Sequence, residues 1–154
     1  MAVSALCRGA ATSPMKAKER TGRRGIVLFA HGARDPGWAE PVKRLARMVS
    51  KRDPEAVVVM AFLEHIDPPL EAAIADVLGR GAADVTVVPV FIAQGGHLKQ
   101  DLPRIIDAIR AAHPQLVLRL AAPVGESDAV LAAMADHASA ASHGAAAGGG
   151  TQNE

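Results

Sequence analysis

Gly25-Ile26-Val27-Leu28-Phe29-Ala30 runs directly into His31-Gly32-Ala33-Arg34-Asp35-Pro36. The first six residues are continuously apolar rather than alternating, the pattern of a parallel strand covered on both faces. The next six turn polar at once and end in Asp-Pro, a helix-start signal. A strand, a polar turn and a helix start form the first half of a βαβ unit, and this order recurs along the chain.

Working outward, Val57–Phe62, Val85–Phe91 and Leu116–Ala121 are three further short apolar runs, and helical patterns follow each strand. After Asp35-Pro36, Trp38, Val42, Leu45 and Val49 share one helical face. Asp67-Pro68 opens a second helix that buries Leu70, Ile74, Val77 and Leu78 and stops near Gly79 and Gly81. Asp101 is placed to cap a third, with Leu102, Ile105, Ile106 and Ile109 as its inner stripe. Ser127 begins a weaker, Ala-rich fourth carrying Val130, Leu131 and Met134. Right-handed crossovers then predict an α/β domain over residues 25–138, with a single four-stranded, mostly parallel sheet flanked by helices.

The composition agrees. At 154 residues the chain suits one domain, and 49% hydrophobic against 21% charged residues gives it a real core. Lys+Arg 17 against Asp+Glu 16 leaves no global basic field for nucleic acid. Aromatic residues are 3% with no Tyr, which argues against base-stacking binders. The lone Cys7 excludes an internal disulfide or a multi-thiolate zinc site. No apolar run approaches the ~20 residues of a membrane span, so a soluble cytoplasmic protein is expected.

The ends carry little pattern. Arg8, Lys16, Lys18, Arg20, Arg23 and Arg24 against the single acid Glu19 give residues 1–24 a transit-peptide bias. Their poor apolar periodicity reads instead as a disordered basic extension, with Met15 an alternative start. Residues 139–154 are rich in Ala and Gly and read as an unstructured tail, which makes His143 a solvated residue.

In an open α/β sheet, ligands bind beyond the carboxyl ends of the strands. His31, Glu64 and His97 each follow a successive strand, at equal intervals of 33 residues. One strand–helix–strand period therefore separates each from the next, and all three return to one edge. Two imidazoles and a carboxylate suit a borderline divalent metal, and they suit proton removal near neutral pH. A single histidine after a strand is usually a satisfied loop residue; three at matching turns carry more weight. Glu64 and His65 are adjacent, and strand alternation would let only one face the crevice. Gly32, Gly95 and Gly96 would let backbone approach a bulky ligand. Arg34, Lys99 and Arg104 could pair with substrate carboxylates at the mouth. His113 and His137, at helix ends, read as capping or surface residues. No Lys-Ser/Thr pair follows Gly95-Gly96, no GxGxxG occurs, and neither Ser50 nor Ser127 sits in a GxSxG elbow.

These residues resemble the sirohydrochlorin chelatases, short-form class II tetrapyrrole chelatases of cobalamin and sirohaem biosynthesis. The likeness rests on His31-Gly32-Ala33-Arg34-Asp35-Pro36, Phe62-Leu63-Glu64, Val88-Pro89-Val90-Phe91, Gly95-Gly96-His97 and Asp101-Leu102-Pro103, and covers about Gly25 to His137. Ala33 departs from a frequent serine. The resemblance implies insertion of Co²⁺, Fe²⁺ or Ni²⁺ into sirohydrochlorin, with the metal as substrate and no tightly bound cofactor. It implies His31, Glu64 and His97 as metal and catalytic residues, and Arg34, Gly95, Gly96 and Lys99 as substrate contacts. It also implies that this chain is half of a bilobal form, completed as a homodimer, with neither nucleic acid nor membrane as partner. A tetrapyrrole or metal carrier with the same pocket, and a structural α/β module, are the alternatives.

Overall fold

The computed structural model describes residues 22–93 and 95–146, excluding the side chains at positions 36, 97 and 143–146. Four strands, β1 (Arg23–Ala30), β2 (Val57–Phe62), β3 (Ala82–Pro89) and β4 (Val117–Leu120), form one sheet in the order β2-β1-β3-β4. Every pairing is parallel. Four helices connect or follow them: α1 (Glu40–Arg52), α2 (Leu70–Gly79), α3 (Gly96–Ala112) and α4 (Asp128–Ala146).

The strand order dictates the layers. Passing from β1 to β2 moves one way across the sheet, and the two later crossovers move the other way. Right-handed crossovers therefore put α1 on one face and α2 with α3 on the opposite face. The two faces differ in depth. Under α2 and α3, Phe29, Val27, Val85 and Val87 pack with Ile74, Val77, Leu102 and Ile106, all at 0–1% exposure. Under α1 the core is thinner and centres on Leu28, Ala30, Val42 and Phe62. No described helix is long and apolar enough to cross a membrane.

Four local expectations are corrected. Asp35 does cap the chain after β1, accepting from the Gly37 N–H at 2.8 Å, but it opens a 3₁₀ turn (Pro36–Ala39) ahead of α1. That tighter turn changes the phase, so Ala39 is buried and Trp38 stays 38% exposed. The third helix starts at Gly96, not after Asp101, because Gly95 in extended conformation is its N-cap and Pro103 is accommodated inside the helix. His97 and Lys99 are thereby lifted from a loop into its first turn.

At the chain ends, Arg23 and Arg24 belong to β1, in register with Ala82 and Asp84, whereas residues 1–21 lie outside the described residues. The fourth helix continues past Ser139 to Ala146, as its alanine run favours. Residues 147–154, the remainder of the expected tail, are outside the described residues.

Candidate active site at the carboxyl edge

The topological switch lies between β1 and β3, whose helices leave on opposite faces, and the crevice there is the natural ligand position. His31 follows β1 directly, Glu64 lies two residues beyond β2, and His97 stands in the first turn of α3. Since β2, β1 and β3 are neighbours, their carboxyl ends bring these three positions to one edge.

Backbone bonds extend the β1–β2 ladder into the two turns. Leu63 N–H donates to the carbonyls of Ala30 and His31 at 2.9 and 3.1 Å, and Glu64 N–H donates to His31 at 3.0 Å. Gly32 makes this approach achievable. Its φ is 91°, and a Cβ there would lie 1.9 Å from the Glu64 carbonyl oxygen. On the β3 side, Gly125 passes equally close to the Ile92 carbonyl, and its N–H donates to Phe91 at 2.9 Å.

This clamp places Nδ1 of His31 3.2 Å from Oε1 of Glu64. The other carboxylate oxygen, Oε2, lies 3.4 Å from Nε2 of His65. One carboxylate thus sits between two imidazoles, one to each oxygen, and all three side chains are 38–53% exposed. The His31 ring stands edge-on to Phe91 at 6.3 Å, and Phe91 stands edge-on to the buried Phe29 at 5.7 Å. The imidazole is braced against the core while its rim stays open to solvent.

Alternation predicts that Glu64 and His65 face apart; they do not. The strand ends at Phe62, and Ile66 N–H donates back to the Glu64 carbonyl at 2.8 Å. That bond closes a three-residue turn around His65, whose φ is 63°. Such a turn is the rarer, strained form, costing on the order of 1–3 kcal/mol. It brings both side chains to the same place.

The remaining candidates divide. Arg34 is exposed and borders an open cavity of about 470 Å³ with Lys43, Met60, His65 and Asp67. Lys99, Gly95 and Gly96 are exposed at the N-terminal end of α3. Among the described residues, a Cβ on Gly95 or Gly96 would meet nothing within 4 Å, so no described neighbour requires glycine at either position. Arg104 is 3.6 Å from Asp101 on its own helix. His113 caps the far end of α3, and His137 lies on α4 beside Arg52, both away from this edge. Among the described residues no three His, Cys, Asp or Glu side chains are grouped to hold a metal, and the His97 side chain is not among those described. Sequence reasoning missed the Phe91 brace and the shared carboxylate. The signal for the second was Asp67-Pro68 just after His65, which marks a tight turn where alternation lapses.

The CbiX family profile matches residues 25–141. The sirohydrochlorin cobaltochelatase of Methanococcoides burtonii is 37% identical over 82 residues, covering 53% of this chain and 63% of that protein. The sirohydrochlorin cobaltochelatase of Saccharolobus solfataricus is 31% identical over 107 residues, covering 66% of this chain and 82% of that protein. This chain's match thus spans somewhat under two thirds of the first relative and most of the second. Among solved structures, the CbiX protein of Marinobacter aquaeolei VT8 superposes with a TM-score of 0.68 at 32% identity, over 78% of this chain and 98% of that one.

Proposed function

The chain belongs to the CbiX family of sirohydrochlorin chelatases, and on that premise we propose that it inserts a divalent metal, cobalt foremost, into sirohydrochlorin. The observation that carries this reading is the His31–Glu64 pair, 3.2 Å apart where β1 and β2 end.

Metal insertion displaces two pyrrole protons, so the site must supply a base as well as a group that presents the ion. A carboxylate beside Nδ1 favours the tautomer with its proton on that nitrogen, which leaves the Nε2 lone pair of His31 for a pyrrole proton. Once protonated, the ring is an imidazolium stabilised by the same carboxylate. One nitrogen cannot hold a metal and take a proton together, so the work is divided. His31 takes protons, Glu64 supports that transfer as the third member of the metal site, and His97 presents the metal. The metal is substrate, not resident, which calls for few ligands and an open site.

The exposed Leu63 and Ile92 offer apolar contact for a macrocycle face beside His31. Arg34, Lys99 and the N-terminal turn of α3 suit its peripheral carboxylates. Half-exposed catalytic groups enclose little of a tetrapyrrole, and a second copy facing this edge would supply the other wall. A homodimer is therefore part of the proposal, and sedimentation at micromolar concentration tests it. A fully active monomer would refute it.

The activity test is anaerobic incubation of the protein with sirohydrochlorin and Co²⁺, Fe²⁺ or Ni²⁺ in turn, following the absorption change. The expected result is a protein-dependent rate that saturates in both metal and tetrapyrrole, with Co²⁺ accepted. Tight tetrapyrrole binding with no rate above the protein-free reaction would instead make the chain a carrier.

A further inference from the structure

We propose that His65 is a positioning residue of this site, holding the Glu64 carboxylate in the orientation that serves His31. This rests on the chelatase reading for its kinetic consequence, though not for its geometry.

Three observations converge on it. Nε2 of His65 is 3.4 Å from Oε2 of Glu64, while Oε1 of the same group faces Nδ1 of His31 at 3.2 Å. A carboxylate with one oxygen facing solvent rotates freely about its last torsion; contact at both oxygens restricts that rotation. Second, Glu64 is the carboxylate within ion-pairing reach of His65 among the described residues, although Asp67 borders the same open cavity. The contact is therefore specific to the proposed site. Third, His65 occupies a backbone position, φ 63°, that glycine adopts without strain and a turn by itself would favour. A histidine there is accounted for by what its ring touches. The neighbouring backbone is already secured by the Ile66-to-Glu64 and Leu63-to-His31 bonds, so the ring is not needed to close the turn.

His65 does not touch the reacting atoms in this scheme. It acts through Glu64 on His31, and its loss falls on turnover rather than on binding.

Two variants of the full chain test this: His65→Gly and His65→Gln. His65→Gly removes the ring and relieves the positive-φ backbone, so its melting temperature is expected to equal or exceed that of the unmodified protein. Its kcat for Co²⁺ insertion should fall about tenfold to a hundredfold, the usual loss when a group that orients a ligand is removed. Half-saturating Co²⁺ and sirohydrochlorin should move less than about twofold. His65→Gln keeps an N–H donor at similar reach and should recover most of that loss. Long-range ¹H–¹⁵N NMR of His31 gives a readout independent of activity. The Nδ1-protonated tautomer should dominate in the unmodified protein and in His65→Gln, and be diluted in His65→Gly. An unchanged kcat and tautomer population in His65→Gly would overturn the inference, as would a loss His65→Gln does not recover. If the unmodified protein inserts no metal while the tautomer still shifts in His65→Gly, the chelatase reading fails and the positioning role stands.

Discussion

The two ends of the sheet treat charge in opposite ways. At the amino end, Arg24 reaches across from β1 to Asp53 at 3.0 Å, and Arg119 of β4 pairs with Asp84 of β3. Each guanidinium meets one carboxylate, and each pair ties together two separate parts of the chain. At the carboxyl end, one carboxylate is shared by two imidazoles that are neutral when deprotonated. Paired opposite charges close a surface. A carboxylate flanked by groups that can give or take a proton keeps a surface chemically open. The comparison predicts that the amino end serves modest stability and the carboxyl end serves reaction.

The largest expected effect is His31→Ala, which should lower the insertion rate at least about a hundredfold, the lower range for loss of a general base. Its thermal stability should scarcely move, because the side chain is 53% exposed. Rates matching the unmodified protein at every metal concentration would break the comparison outright. Gly32→Ala comes next and strikes both properties. A Cβ directed at the Glu64 carbonyl, on a positive-φ backbone, should cost on the order of 1–3 kcal/mol in denaturant unfolding and displace Glu64 from His31. Arg119→Ala, at the other end, should cost no more than about 1 kcal/mol, the range of exposed ion pairs, and leave turnover unchanged. A loss of turnover there would show that the amino end is not closed after all.

His113→Ala should change neither rate nor melting temperature measurably, since the residue caps α3 far from the site. The smallest effect lies in a pair that behaves like the amino end although it sits at the start of α1. Glu40 accepts from Lys43 at 2.7 Å, and that hydrogen bond, with the lysine charge, holds its carboxyl below the ordinary value. Its stabilising effect is present above the usual carboxylate range and is lost as pH falls through the lowered folded value. NMR titration of Glu40 should return to the ordinary value in Lys43→Gln.

Much of the architecture could be read in advance because burial writes itself into the chain. Both sides of β1 are covered over Val27–Ala30, so those residues run continuously apolar, and the 33-residue repeat records the length of one strand–helix–strand circuit. The sequence places the third helix's start too late because Asp101 offers a good cap and Pro103 a good first turn. Gly95, which does cap it, carries no side-chain signal. A helical wheel puts Trp38 on one face with Val42 because it assumes one period, whereas the chain enters α1 through a 3₁₀ turn. Strand alternation sets His65 against Glu64, but that rule ceases to apply at Phe62, where the strand ends.

By itself, then, the sequence determined the fold class, the order of the elements and the three turns that share an edge, since these follow from periodicity and length. Only the tertiary structure decided that β1 lies between β2 and β3, that Gly32 yields to the Glu64 carbonyl, and that Glu64 stands between His31 and His65. Those facts depend on contacts between residues about 33 positions apart and on one positive-φ turn. Neither leaves a periodic trace in the chain, because a single close approach constrains atoms rather than patterns.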